Sequence, residues 1–257
     1  MNKIQLTYTH NNSVAKVILS DSKGNVLDNG MMLELLSVID VLNENKDVKL
    51  ITFEGEGKHF SFGASVEEHT KENAGDMIRT FHKIFRKIVE MGIPTAAKIS
   101  GQCLGGGLEL ALICNFMFAD GTASLGQPEI ILGVFPPPAS IILPLKLGSA
   151  RADDLLITGR SISAQEAHSI GLVNEVFLNR NEMEERVDSW IQKQIIPKSA
   201  SSLRHALRAA RSNFNKVFLE ELKALEDVYL DQLMETKDAN EGINAFIEKR
   251  KPVWENC

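Results

Sequence analysis

The sequence predicts an α/β protein whose core is a largely parallel sheet. Segments with strand-like and helix-like patterns alternate through the first half of the chain, which is typical of parallel strands joined by helices. From about Ser149 onward helical patterns dominate. The chain has 257 residues, of which 44% are hydrophobic, so it is too apolar to stay disordered. We expect one large domain followed by a helical region.

The individual elements follow from periodicity and end signals. Alternating residues predict an antiparallel hairpin of Ile4–Thr9 and Val14–Leu19, and Asn29 is placed to cap the helix that follows. Buried strands are predicted at 48–53, 94–100, 116–119 and 173–177, with a helix at 108–113. Further along, the sequence predicts a capping box at Ser163 and Glu166, a helix stop at Gly171, and three more helices through Lys249.

Charge and cysteine content exclude several classes of protein. Lys and Arg number 28 against 34 Asp and Glu, a net charge of -6, so no global positive field attracts nucleic acid or an anionic membrane. The longest uncharged stretch, 130–145, is interrupted by prolines and is too short to span a bilayer. The three cysteines lack CxxC spacing, which indicates neither a disulfide framework nor a zinc site. We expect a cytoplasmic protein without a bound metal.

Two glycine-containing turns, at 55–65 and 101–109, each connect a predicted strand to a predicted helix. Neither matches the phosphate-binding pattern GxxxxGKS/T or the dinucleotide pattern GxGxxG. Ser65 and Glu68 have capping-box spacing, which predicts a helix directly after Ala64. Free N–H groups at two such helix starts could form an oxyanion hole, although each turn alone could equally be a tight connection.

Two glutamates stand in apolar surroundings. Glu109 follows the triple glycine Gly105 to Gly107 by two residues, and Glu129 precedes three apolar residues. Burial raises the pKa of a carboxyl group toward the range useful for proton transfer, so the pair could share acid and base roles. Alone, either glutamate could instead be a helix N-terminal residue or be satisfied by backbone donors.

Five segments in succession resemble the signatures of the enoyl-CoA hydratase/isomerase family, the crotonases: GKHFSFGAS, KISGQCLGGGLELALICNFMFAD, ASLGQPEIILGVFP, LLITGRSISAQEAHSIGLVNEVF and AFIEKRKPVW. The resemblance runs from about residue 4 to the end of the sequence. It implies a spiral core of ββα repeats with the active site, residues 1–195, followed by a helical trimerisation region, residues 196–257. Trimers in this family often pair into hexamers.

The resemblance also implies where an acyl-CoA thioester binds. In the family, two backbone N–H groups hold the thioester oxygen while an enolate forms, and here they match Ala64 and Gly106. Ala64 and the three residues after it, Ser65, Val66 and Glu67, match the segment that contacts CoA. Many relatives have Asp in place of Ser65, a change that should leave the Ala64 donor intact.

Glu109 and Glu129 match the two catalytic glutamates of the hydratases in this family. Members that only isomerise, cleave thioesters or decarboxylate commonly lack one of them, so the pair favours addition or removal of water. The resemblance suggests that Glu109 activates water and that Glu129 transfers a proton to carbon. Because CoA is part of the substrate, no separate cofactor is expected.

One segment departs from the straight-chain hydratases. They usually have a glycine-rich turn after the second glutamate, whereas this chain has Phe135 and three prolines, predicting a stiff apolar pocket wall that includes Phe135 and Pro137. FPPPAS and FSFGASVEEH resemble members that convert cyclohexa-1,5-diene-1-carbonyl-CoA to 6-hydroxycyclohex-1-ene-1-carbonyl-CoA in anaerobic benzoyl-CoA degradation. The alternatives are a straight-chain enoyl-CoA hydratase, a ring-opening acyl-CoA hydrolase, or a non-catalytic CoA- or RNA-binding member.

Overall fold

A computed structural model describes residues 3–257, and within that range the strands form two sheets. The strands are β1 (Ile4–Thr9), β2 (Val14–Leu19), β3 (Leu50–Gly55), β4 (Thr95–Ile99), β5 (Gln102–Leu104), β6 (Phe116–Asp120), β7 (Ser124–Gly126), β8 (Ser161–Ser163) and β9 (Glu175–Phe177). The larger sheet has the order β1-β2-β3-β4-β6-β9; β1 pairs with β2 antiparallel and every other neighbouring pair is parallel. In the smaller sheet, β5 pairs with β7 in parallel and β7 with β8 antiparallel.

Helices surround these sheets and supply the C-terminal region. They are α1 (Asn29–Glu44), α2 (Ala74–Met91), α3 (Gly106–Ile113), α4 (Pro137–Leu147), α5 (Ser149–Thr158), α6 (Ala164–Ser169), α7 (Arg180–Gln194), α8 (Ala200–Ala210), α9 (Ser212–Asp231) and α10 (Lys237–Ile247). Single 3₁₀ turns are formed by Val66–His69, Pro128–Leu132 and Leu233–Glu235. None of the helices within residues 3–257 is both long and apolar enough to cross a membrane.

The central strands of the larger sheet are covered on both faces. Every residue of β3 and β4 is buried, as expected for parallel strands covered on both faces. Helix α3 is buried along its whole length, which accounts for its uniformly apolar sequence around Glu109. The triple glycine Gly105 to Gly107, at the start of α3, is buried as well.

Most predicted elements are confirmed, with ends that move by one or two residues. The predicted hairpin is β1 and β2, and the capping box at Ser163 is confirmed because its Oγ accepts a hydrogen bond from Glu166 N at 3.1 Å. The cap of α1 is Asp28 rather than Asn29: Asp28 Oδ1 accepts from Met31 N at 3.0 Å. Four helices, not three, follow β9 in the described chain.

The helix predicted directly after Ala64 is wrong. Val66–His69 forms only a 3₁₀ turn, and Ser65 makes no side-chain capping bond. The Glu68 carboxylate instead accepts from Asn29 N at 2.9 Å, at the start of α1, so it is not available to close a capping box. The long helix of this region is α2, for which the sequence analysis assigned no element.

Helices α9 and α10 pack against the parts of the core that hold the candidate site. Helix α9 contacts α2 and α4. Helix α10 contacts the 3₁₀ turns Val66–His69 and Pro128–Leu132, which belong to the core. The approach of α10 is close: a Cβ added to Gly242 would lie 2.2 Å from Leu132 O. The C-terminal helices are therefore an integral part of the single-chain fold.

Candidate active site

Two backbone amides come together where the two glycine-containing turns meet. A Cβ added to Gly106 would lie 3.2 Å from Ala64 N, so the two turns are in direct contact. Ala64 lies opposite Leu27 in a parallel β-bridge. The bridge is formed by Leu27 N, which donates to Gly63 O at 2.9 Å, and by Ser65 N, which donates to Leu27 O at 3.4 Å, so it does not use Ala64 N. Among residues 3–257, nothing accepts a hydrogen bond from Ala64 N or Gly106 N. Both N–H groups are free to bind an oxygen atom.

Glycine at two positions makes this approach possible. Gly63 has φ +97° and a Cβ there would lie 2.7 Å from Leu104 O; Gly105 has φ +49° and its Cβ would lie 2.7 Å from Glu129 Oε1. Any other residue would be strained at both positions. Its Cβ would push the two turns apart at Gly63 and would displace the Glu129 carboxyl at Gly105. Ser61 adds to this order because its Oγ accepts from Gly63 N at 3.0 Å and donates to Asn25 O at 2.7 Å.

The two predicted glutamates lie on the same cavity. Glu109 extends from α3 and is 3% exposed, whereas Glu129 lies in the Pro128–Leu132 turn and is half-buried. The cavity that both side chains line has a volume of about 80 Å³. Ala64 and Gly106 line it as well, so the structure brings the four predicted catalytic positions together.

Each carboxylate has its own hydrogen-bond donor. Ala139 N donates to Glu109 Oε1 at 3.0 Å. With its amide nitrogen turned toward Glu129, the orientation that satisfies both groups, buried Gln127 donates to Oε1 and Oε2 at 3.1 and 3.0 Å. These donors fix the orientation of both carboxyl groups and favour their charged forms.

Burial nevertheless dominates the protonation of the pair. It raises the pKa of Glu109 well above its ordinary value, and the nearby charge of Glu129 raises it further, against the opposing effect of the Ala139 amide. Burial also raises the pKa of Glu129. Two carboxyl groups in one apolar cavity do not both ionise readily, because each negative charge opposes the other.

The predicted wall after Glu129 has a different form from the one expected. Phe135 and Pro137 line the cavity as predicted, but the prolines are not only a stiff turn: Pro137 and Pro138 begin helix α4. Proline suits these positions because the first helical N–H groups have no partner within the helix. Ala139 therefore has the first backbone N–H group of α4, and this group donates a hydrogen bond to the Glu109 carboxylate.

The remaining predicted CoA contacts are only partly at the cavity. Val66 lines it, whereas Ser65 and Glu67 do not. Nearby basic side chains lie outside the cavity. Lys58 and His59 border a separate open cleft, and Arg250 is paired with Glu241 and Glu248. Within residues 3–257, no group of three His, Cys, Asp or Glu side chains has the arrangement of a metal site.

Three contributors to the site were not recognised in the sequence. Gln127 lies two residues before Glu129, and its side-chain amide donates to the Glu129 carboxylate. The closeness of an amide residue to this glutamate in the sequence is the signal that could have predicted the contact. Neither Tyr229 of α9 nor Ile243 of α10 was predicted to contribute, yet both line the cavity. The wall of the cavity thus includes residues beyond 195.

The chain is similar to known proteins along nearly its whole length. The family model described as enoyl-CoA hydratase/isomerase matches residues 9–257. A protein of Thauera aromatica named cyclohexa-1,5-dienecarbonyl-CoA hydratase is 40% identical over 95% of this chain and 93% of its own. A probable enoyl-CoA hydratase of Bacillus subtilis (strain 168) is 34% identical over 94% of this chain and 95% of its own.

Solved structures support the same fold. An enoyl-CoA hydratase from Bacillus anthracis is 31% identical with a TM-score of 0.77, covering 99% of this chain and 100% of the other. One from Mycobacterium avium subsp. paratuberculosis K-10 has a TM-score of 0.86 over 99% of both chains, and at 21% identity it bears on the fold alone.

The fold class is thereby the one predicted, a crotonase-like α/β core followed by C-terminal helices. The chain belongs to the enoyl-CoA hydratase/isomerase family. Within that family it is a hydro-lyase, because the relatives that match nine-tenths or more of its length are named as hydratases.

Proposed function

We propose that the protein adds water to a conjugated cyclic dienoyl-CoA thioester, cyclohexa-1,5-diene-1-carbonyl-CoA, and forms 6-hydroxycyclohex-1-ene-1-carbonyl-CoA. One observation carries the proposal: two carboxyl groups with raised pKa share one apolar cavity with the free amides of Ala64 and Gly106. Hydration of an enoyl thioester needs these parts, namely a base for water, an acid for carbon and donors for the enolate oxygen. The 40% identity to the Thauera aromatica enzyme supports the ring substrate.

The two amides would act on the thioester oxygen. When water attacks the β-carbon, the electron pair of the α,β double bond shifts toward the thioester and negative charge develops on that oxygen. The N–H groups of Ala64 and Gly106 stabilise this charge in the resulting dienolate. Donors of this kind are each worth about 3 to 4 kcal/mol in the transition state. Because both amides are fixed by tight turns, they need no rearrangement when the charge develops.

The carboxyl pair would move the protons. The ionised member takes a proton from water as its oxygen bonds to the β-carbon, and the protonated member gives a proton to the far end of the dienolate, so that one water is added overall. We assign water activation to Glu109 and the proton at carbon to Glu129. In this proposal the reaction needs no resident cofactor, because the protein's own carboxyls carry out the acid and base steps and CoA belongs to the substrate.

The cavity walls favour a flat ring over a flexible chain. The edge formed by Phe135, Pro136 and Pro137 is apolar, and the prolines restrict its backbone because their φ is fixed. Phe81, Tyr229 and Ile243 also line the cavity, so aromatic and aliphatic side chains form much of its surface. A rigid slot loses little freedom on binding a rigid ring, which is the physical reason to expect the cyclic acyl group.

A side-by-side assay tests the proposal. The purified protein is given cyclohexa-1,5-diene-1-carbonyl-CoA and crotonyl-CoA, and kcat/KM is measured for each. We expect the cyclic substrate to have the larger value. Faster turnover of crotonyl-CoA would sink the ring specificity while leaving a straight-chain hydratase, and no hydration of either thioester would remove the hydratase proposal altogether.

We also propose that the chain works as a homotrimer or a pair of trimers in the cytoplasm. Exposed apolar side chains on the described surface, including Ile130, Ile131 and Ile157, would be covered in such an assembly. Light scattering after size-exclusion chromatography measures the mass directly, and a monomer at assay concentration would contradict the assembly.

A further inference from the structure

Tyr229 places a phenol in the wall of the cavity that holds both glutamates. It lies on the buried face of α9 together with Phe218, Leu222 and Glu226, and it is 1% exposed. Its ring packs edge-on against Phe135, with centroids 5.4 Å apart and an interplanar angle of 69°. The position of the phenol is therefore fixed by packing on both sides of the cavity wall.

The hydroxyl of this phenol has no protein partner. Tyr229 Oη is buried, and no atom of residues 3–257 forms a hydrogen bond with it. Buried hydroxyl groups in folded proteins are nearly always bonded, to the protein or to an ordered water. Here the partner must be a small polar molecule or a polar atom of the ligand in the cavity.

The charges around the phenol make it a donor. Burial raises the pKa of Tyr229, and the negative charges of Glu129 and Glu109 raise it further, so it keeps its proton throughout the neutral range. Neither carboxylate accepts its hydrogen directly. An oxygen atom located between the phenol and the carboxyl pair would accept from Tyr229 and could donate to a carboxylate.

We propose that Tyr229 is a third catalytic residue, whose hydroxyl donates a hydrogen bond to the oxygen of the water that is added and of the product hydroxyl that it becomes. This inference rests on the proposed hydration. An enoyl group has no polar atom beyond its thioester, whose oxygen has its own donors in Ala64 and Gly106, so the water is the remaining acceptor. The phenol keeps its proton in both directions: it orients the water for attack and supports the departing hydroxide in the reverse dehydration.

The chain offers a matched control for the test, because it contains only two tyrosines. Tyr229→Phe removes the hydroxyl and keeps the ring, and Tyr8→Phe does the same on β1, away from the cavity. With the thioester that the wild type hydrates best, we expect Tyr229→Phe to lower kcat about tenfold or more with KM changed less than about threefold. Tyr8→Phe should match the wild type.

Two further readouts separate catalysis from structure. Because the hydroxyl has no protein partner, Tyr229→Phe should leave the thermal midpoint unchanged or raised. Binding of the hydroxylated product should weaken about tenfold relative to wild type, whereas binding of the analogue cyclohex-1-ene-1-carbonyl-CoA, which lacks the hydroxyl, should not change. The binding measurement needs no turnover, so it can be made even if the protein does not hydrate the proposed substrate.

Unchanged kcat in Tyr229→Phe, or equal loss of affinity for both ligands, would overturn the inference. A lower thermal midpoint together with a general loss of binding would assign the hydroxyl a structural role instead. Failure of the wild type to hydrate any enoyl thioester is a different result, because it removes the proposed function and not the contact between Tyr229 and a bound hydroxyl.

Discussion

At the scale of single residues, Glu109 shows a conflict between stability and chemistry. Its carboxyl is buried on a wholly buried helix, and its one hydrogen bond comes from Ala139 N. An ionised carboxyl so placed costs folding free energy, and its raised pKa expresses that cost. The chain retains an unfavourable group at the position to which we assign water activation.

Replacement of either glutamate by glutamine should separate folding from activity. Glu109→Gln and Glu129→Gln keep the shape and an acceptor oxygen but cannot exchange a proton, so we expect kcat to fall by about 10²- to 10⁴-fold. Circular dichroism should show unchanged secondary structure. Full activity in both variants would disprove the acid and base roles of the pair.

The stability of Glu109→Gln should depend on pH in a definite direction. The folded-state pKa of Glu109 is raised, so its contribution to stability is fully present below the unfolded pKa and is lost as pH rises toward the folded value. Glutamine has no such dependence. We compare the two proteins at the same pH, where other effects of acid act on both alike. The thermal midpoint of Glu109→Gln should equal that of the wild type near pH 4 and should exceed it increasingly toward pH 8. A wild type that stays the more stable protein at pH 8 would contradict this.

At the scale of elements, the glycine turn before α3 sets the distance between the oxyanion donors and Glu129. Gly105→Ala combines a positive φ with a Cβ that would lie 2.7 Å from Glu129 Oε1, so the carboxyl or the turn must move. We expect a stability loss of about 1–2 kcal/mol from the backbone and a fall in kcat of about 100-fold from displacement of the site.

A second glycine provides the control for this variant. Gly171 has φ +82° and nothing within 4 Å of an added Cβ. Gly171→Ala should carry the same kind of backbone strain, visible as a similar fall in the free energy of unfolding in urea, with normal kcat. If the two variants lose equal activity, the Glu129 contact is not the cause.

The elements also show how far sequence reasoning reaches. Strands β1 to β4 and β6, helix α1 and the glycine turn before α3 were predictable because their burial leaves a periodic pattern or an end signal. β5, β7 and β8 are three residues each, too short for any period, and their pairing depends on contacts distant in sequence. The helix predicted from the Ser65 capping box does not form, because the Glu68 carboxylate accepts a hydrogen bond from the start of α1 instead. This contact depends on the tertiary fold and leaves no local signal in the sequence.

The candidate site divides in the same way. Ala64, Gly106, Glu109 and Glu129 lie in segments whose residue types are unusual for their surroundings, so they could be singled out from the sequence. Tyr229 could not, because an aromatic residue at helical spacing is most often core, and only the packing of α9 on α4 brings it to the cavity. The bond from Ala139 to Glu109 likewise becomes visible only in three dimensions.

At the scale of the whole molecule, α10 supports the turn that carries Glu129. Gly242→Ala would place a methyl group 2.2 Å from Leu132 O, which forces α10 away from the Pro128–Leu132 turn. We expect a loss of roughly 1–3 kcal/mol of stability and a lower kcat, although Gly242 lies outside the catalytic groups.

Gly30 gives the matching helical control. It lies in α1, and the nearest atom to its added Cβ is Asp28 Oδ1 at an ordinary 3.4 Å. Gly30→Ala should be neutral or more stable by up to about 1 kcal/mol, because alanine favours the helix. Urea unfolding and kcat measured on both variants test the contrast, and a Gly242→Ala protein as active and stable as Gly30→Ala would show that α10 does not hold the turn.

The contribution of α9 and α10 to the cavity has a consequence for the newly made protein. Ala64, Gly106 and both glutamates leave the ribosome well before Tyr229 and Ile243, so the nascent chain carries its acid, base and oxyanion donors before it has the walls that exclude water. Without those helices, we expect the carboxyls to be more exposed to water and their pKa values to be raised less. We therefore expect the chain to hydrate a thioester only after its C-terminal helices have closed over groups that were already synthesised.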